Sequence, residues 1–147
     1  NHAAQFLPTV YEQEMNDSGQ LVSNKKKPIL FDKVLVDAPC SGDGAIRKLP
    51  QRWRHWKPVD GVHLHGLQVK ILQRAINLAK PGALIVYSTC SISPIEDEAV
   101  VVETMRQFNK LKPNSLELID IHSKFPSLKM SKGISDWLTN KESHVME

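Results

Sequence analysis

The stretch FDKVLVDAPCSGDG (Phe31–Gly44) decides the fold when it is set beside LIVYSTCSISPIEDEA (Leu84–Ala99). Each is a short apolar run that stops at a loop of small polar residues carrying one cysteine. Val34, Leu35 and Val36 read as a buried strand, followed by Asp37, Ala38, Pro39 and Cys40. Leu84, Ile85, Val86 and Tyr87 read as a second strand, followed by Ser88, Thr89 and Cys90. A helix is expected between them, from about Val62 to Lys80. Leu64, Leu67, Ile71, Ala75 with Ile76, and Ala79 recur there at three- and four-residue spacing, and Pro81-Gly82 stops the pattern. A strand, a crossover helix and a second strand form a βαβ unit with parallel strands. Ligands of open α/β sheets gather outside the carboxyl ends of parallel strands. One carboxylate, Asp37, and two thiols, Cys40 and Cys90, are therefore expected to converge on one crevice.

The rest of the chain bounds the possibilities. Its 147 residues suffice for one domain with a core but not for two. At 41% hydrophobic and 24% charged residues the composition is that of a globular protein. No apolar run approaches the roughly 20 residues of a membrane span. The opening NHAAQFLPTV has neither a charged n-region nor a long apolar h-region, and it does not read as a signal peptide. A net charge of +3 permits an anionic partner without demanding one. The chain has two cysteines, both at strand ends, and they read as free thiols of a reducing compartment.

Residues 1–10 read as the end of a strand and its loop. Residues 11–28 read as a polar, solvated loop with a turn at Asn16-Asp17-Ser18-Gly19 and a basic run at Lys25-Lys26-Lys27. Beyond the second cysteine, Ser93 as cap, Pro94 at the first helical position and Glu96 in a capping box predict a helix start. Ala99, Val102, Met105 (or Phe108) and Leu111 would form its buried side. Leu116 to Ile121 reads as a third strand, and Phe125, Leu128, Ile134 and Trp137 as residues covering the core.

Two thiols and an acid suit covalent chemistry on a pyrimidine. A thiolate can add to C6 and make C5 an enamine carbon able to attack an electrophilic methyl group. A carboxyl group bonded to N3 of cytosine would stabilise the charge on the ring, and a second thiol could help remove the C5 proton. From chemistry alone, the two cysteines could equally be redox partners or small buried side chains.

DAPCSG (Asp37–Gly42) and STCS (Ser88–Ser91) resemble the two signature motifs of the Sun-type RNA cytosine-5 methyltransferases. GDGAIRK, LHGLQ (Leu64–Gln68) and VYSTCSISPIEDEAVV match in the linking text, from Phe31 to about Phe108, most like the eukaryotic multisite tRNA enzymes. The resemblance implies an α/β, partial Rossmann-like methyltransferase fold and a methyl donor, S-adenosylmethionine. It implies Cys90 as the nucleophile, Cys40 as the thiol for proton removal and release, and Asp37 as the acid that holds the cytosine beside the donor. Pro39 would shape the donor-side loop. The product would be 5-methylcytosine in tRNA or another structured RNA, and the location intracellular, nuclear or nucleolar, with the cytoplasm as the alternative.

Some of the pattern is missing. The family's glycine-rich donor loop and the acidic residue after it have no counterpart ahead of Asn1, and Ala3 stands where the third motif has Asp. Residues 1–147 are thus expected to be the carboxyl-terminal part of one catalytic domain, with a non-catalytic RNA- or partner-binding fragment as the alternative. The strand ending at Asp37 would lack a neighbour, and the open apolar edge predicts self-association. Arg47, Lys48, Arg52 and Arg54, interleaved with Trp53 and Trp56, could grip phosphates and stack a base, or simply cover a helix surface. His55, His63 and His65 lack the companions and spacing of a zinc site, so no metal is expected.

Overall fold

The computed structural model describes residues 10–12, 15–20 and 27–137. Asn1, His2 and Ala3 lie outside the described residues, as do Lys25 and Lys26. The polar segment expected to be a loop contains a hairpin. Strand β1 (Val10–Glu12) pairs antiparallel with β2 (Lys27–Ile29). The turn signal is realised between them. The Asn16 side-chain oxygen accepts the amides of Ser18 and Gln20, and Gly19 supplies a positive φ of 73°.

The centre is the expected parallel pair, β3 (Phe31–Asp37) and β4 (Ala79–Ser88), joined through α1 (Pro50–His55) and α2 (Pro58–Asn77). Val34 stands opposite Ile85, Val36 opposite Tyr87 and Asp37 opposite Ser88, so both strands end level. Helix α2 starts earlier than its apolar stripe suggests. Pro58 sits in its first turn, and the Asp60 carboxylate accepts the Lys57 amide at 2.9 Å. Pro81-Gly82 does not end the helix, which stops at Asn77, but lies within β4. Phe31 pairs with Ala79 and Lys33 with Leu84, so residues 80–83 bulge opposite Asp32, with Gly82 at φ 79°. Lys80 bonds Asp32 across this irregularity at 2.8 Å.

The core lies between the sheet and α2. Val36 and Ala38 meet Val69, Ile71, Leu72 and Ala75, joined by Val100 of α3 (Glu98–Leu111). Among the described residues nothing covers the opposite sheet face: Leu35 is 72% and Val86 56% exposed, side by side in register.

Three expectations need correction. Helix α3 begins at Glu98, not Pro94, because Glu96 turns its carboxylate inward instead of capping. The buried side is consequently Ala99, Val100 and Thr104, whereas Val102 and Leu111 face solvent. Leu116–Ile121 forms no strand, and the chain turns at its end. Asp120 accepts the His122 amide, and the Ile121 carbonyl accepts those of Lys124 and Phe125. Phe125, Leu128 and Ile134 are about half exposed and do not cover the core. This segment is tied instead by a polar bond, from the Ile134 amide to Glu98 at 2.9 Å.

Candidate active site

Strand β3 ends at Asp37 and β4 at Ser88, and the two cysteine loops start from there. The Ala38 amide extends the ladder by one bond to the Ser88 carbonyl (2.9 Å) before the loops diverge. Cys40 and Cys90 then meet again, with sulfurs 3.0 Å apart and unbonded, and the Cys90 amide points at the Cys40 sulfur at 3.3 Å. Cys90 is exposed and Cys40 half-buried. Burial first, and the hydrogen bond to Cys90 second, push the Cys40 thiol up to about 11. Cys40 therefore carries its proton at neutral pH.

Asp37 is exposed at the sheet end, where the Ser88 hydroxyl approaches its carboxylate at 3.4 Å. Pro39 is exposed beside it, with its carbonyl taken by the Gln68 side chain at 2.9 Å. A groove of about 240 Å³ runs along the free edge of β3 from Val34 to Asp37, walled by Ile71, Arg74, Ala75 and Leu78 of the α2 segment.

Glu96, Asp43, Thr89 and Asp97, which the sequence did not assign to the site, and Arg52, which it did, surround the cysteine loops. Glu96 is fully buried and accepts hydrogen bonds from Ser41, Gln68 and Ser91. Asp43 accepts the Ile92 amide at 2.9 Å and ties the first loop to the second. Thr89 donates to Asp97 at 2.7 Å, and burial raises the Asp97 carboxyl above its ordinary range against the lowering effect of that bond. Arg52 donates to the Ser41 carbonyl at 2.6 Å, so one of its nitrogens is used in holding the Cys40 loop. Arg47, Lys48 and Arg54 face solvent beside Trp53, which is 75% exposed. His65 bonds the Ile95 carbonyl at 2.8 Å, and among the described residues no group of three or more His, Cys, Asp or Glu is placed to hold a metal.

A profile of the family described as 16S rRNA methyltransferase RsmB/F matches residues 7–135, which include both cysteine loops and the elements that carry them. The chain belongs to this family. The RsmB/F match accords with the parallel βαβ unit, which is part of a Rossmann-like methyltransferase fold. Among individual relatives, the chain is 42% identical over 138 residues to the fission yeast (Schizosaccharomyces pombe) multisite-specific tRNA:(cytosine-C(5))-methyltransferase trm4b, covering 93% of this chain and 20% of that protein. It is 40% identical to the Saccharomyces cerevisiae multisite-specific tRNA:(cytosine-C(5))-methyltransferase, covering 93% and 19%. It is 37% identical to the Drosophila melanogaster tRNA (cytosine(34)-C(5))-methyltransferase, covering 97% and 18%. The chain thus spans about a fifth of the length of these RsmB/F-type relatives.

Proposed function

We propose that the chain carries the thiol-bearing part of an enzyme that methylates C5 of cytosine in tRNA. The observation that supports this most is the contact of Cys40 with Cys90 at the carboxyl ends of two parallel strands, beside Asp37. In this reading the Cys90 thiolate adds to C6, and C5 takes the methyl group. Cys40, once its own proton has passed to solvent, then removes the C5 proton, the C5–H electron pair restores the C5–C6 double bond, and the C6–S bond breaks with its electron pair leaving on the Cys90 sulfur. Part of the upward push on the Cys40 thiol comes from Cys90 itself. That part vanishes while Cys90 is bonded to carbon, so Cys40 reaches its basic thiolate form more readily when the proton must be taken.

S-adenosylmethionine would supply an electrophilic methyl group. The residues present fit such a donor at one point. Asp37 is exposed and, among the described residues, engaged only by the long Ser88 contact, so its carboxylate has capacity left for a hydroxyl or amino group. The exposed Arg47, Lys48 and Arg54 with Trp53 suit a phosphate backbone and an unstacked base. Arg52 contributes by shaping the Cys40 loop as well. We take the work to be intracellular, nuclear or nucleolar, a reading that relatives named for tRNA modification support. The test is direct. The full-length protein with tRNA and S-adenosylmethionine should yield 5-methylcytosine by mass spectrometry of the digested RNA, and an absence of product across the cell's whole tRNA pool would refute the assignment.

The uncovered sheet face supports self-association of the 147-residue chain. Leu35, Leu84 and Val86 form a contiguous apolar patch on a two-stranded sheet with open edges. Light scattering is expected to show species larger than a monomer, shifted toward monomer by Leu35→Lys. A monodisperse wild-type monomer at high concentration would count against it.

A further inference from the structure

We propose that Glu96 is the positioning residue of the two-thiol site: its carboxylate, shared between the residues that follow each cysteine, sets how closely Cys40 and Cys90 approach. The inference rests on the two-thiol reading above, but the geometry that carries it is separate. One carboxylate oxygen accepts the Ser41 backbone amide at 2.8 Å and the Gln68 side-chain amide at 3.0 Å. The other accepts the Ser41 hydroxyl at 2.6 Å and the Ser91 hydroxyl at 2.8 Å. Ser41 directly follows Cys40, and Ser91 directly follows Cys90. A movement of the carboxylate is therefore passed to both thiols across one residue each.

The surroundings are built to keep this carboxylate in place. Glu96 is 0% exposed, and a carboxylate buried that far is tolerated only when its lone pairs are used. Four neutral donors use them. Gly61 of α2 leaves the room: a Cβ there would stand 3.0 Å from the nearer Glu96 oxygen. Gln68 spans from Glu96 to the Pro39 carbonyl, so the helix also grips the Cys40 loop from its other side. The Tyr87 hydroxyl donates to the Glu96 carbonyl at 2.8 Å and fixes its backbone to β4. Glu96 thereby joins both cysteine loops, α2 and β4.

The thiol separation can be read without RNA or methyl donor, so failure of the methyl-transfer assignment would leave the measurement valid. Diamide serves as the oxidant. One cysteine thiolate adds to its N–N double bond. The second thiol attacks that sulfur, the S–S bond forms, and the hydrazine leaves with both protons and both electrons. The rate of Cys40–Cys90 closure is followed by mass spectrometry on the reduced 147-residue chain. Glu96→Ala is expected to slow closure about tenfold, as a displacement of roughly half an ångström would. Far-UV circular dichroism and the alkylation rate of Cys90 should stay near wild type. Glu96→Gln should restore closure to within a few-fold, because its oxygen can take the Ser41 and Gln68 amides while its NH₂ donates to the serine hydroxyls. Ser91→Ala removes one of the four bonds to Glu96, along with the acceptor of the Ser93 amide, and should slow closure by about threefold on the same proximity argument. A folded Glu96→Ala chain that closes at the wild-type rate overturns the proposal, as does a Glu96→Gln chain as slow as Glu96→Ala. If Glu96→Ala does not fold, Ser91→Ala decides: slowed closure sustains the role, and wild-type closure overturns it.

Discussion

Cys90→Ala in the full-length protein is expected to abolish both methyl transfer and covalent capture of RNA, whereas Cys40→Ala should cripple turnover and let the covalent complex accumulate. The asymmetry follows from where the sulfurs stand. Cys90 is the exposed member, open to an incoming base, and Cys40 lies behind it at 3.0 Å, half-buried. Burial holds the Cys40 thiol protonated at neutral pH, with its ionisation moved up to about 11, which disfavours it as the attacking group. To take the C5 proton it must first give up its own, which becomes easier once Cys90 is bonded to carbon and its share of the upward push is gone. Removing Cys40 leaves the addition step intact and blocks the elimination, so turnover should fall roughly 10²–10⁴-fold, the range for a lost proton transfer. Denaturing electrophoresis with labelled tRNA would show a retarded protein band for Cys40→Ala and none for Cys90→Ala. Absence of the band from both variants, or its presence in Cys90→Ala, would break the division of roles. The same burial predicts that alkylation of Cys40 is slow near neutral pH and accelerates as pH rises toward 11.

The parallel pair and the meeting of Asp37, Cys40 and Cys90 at one sheet end were legible because the signals were apolar and abrupt. Two β-branched runs stop at Pro-Cys and Thr-Cys, and the spacer is long enough for a crossover helix. The polar half of the arrangement was not legible. The most deeply buried side chain of α2 is Gln68, and Gly61 is buried with it, neither of which a count of apolar residues along α2 can select. Ser93 to Glu96 satisfies the local pattern of a capping box. The same carboxylate has four stronger claims from residues 28 to 55 positions away or in the next turn, and tertiary bonds won. The segment after Pro113 failed for the opposite reason. Leu116, Leu118, Ile119 and Ile121 have strand-like composition, but none of them pairs with a strand edge, and the chain turns at Ile121, whose carbonyl accepts the Lys124 and Phe125 amides. Composition says what a segment can bury, not whether a partner stands beside it.

Gly44→Ala should be the most damaging single-methyl change near the site. The methyl group would stand 2.8 Å from the Cys90 carbonyl oxygen and 3.3 Å from the Ile92 side chain. The first of these is backbone, so the conflict cannot be relieved by a rotamer change and must move one cysteine loop against the other. Movement there also strains the Asp43 bonds, because that carboxylate holds the Gly44 and Ile92 amides together at 2.9 Å each. A displacement of about an ångström between reacting groups costs about a hundredfold in rate, and methyl transfer by the full-length protein should fall by that order. Diamide closure of Cys40 with Cys90 should slow in parallel, which ties the loss to thiol geometry and not to RNA binding. Gly66→Ala is the control: it adds the same methyl group in the exposed middle of α2, where a Cβ meets nothing within 4 Å. It should leave closure unchanged and, by raising helix propensity, stabilise the fold by about 0.5–1 kcal/mol. A Gly44→Ala protein that closes and turns over like wild type would mean that the two loops do not depend on this close approach.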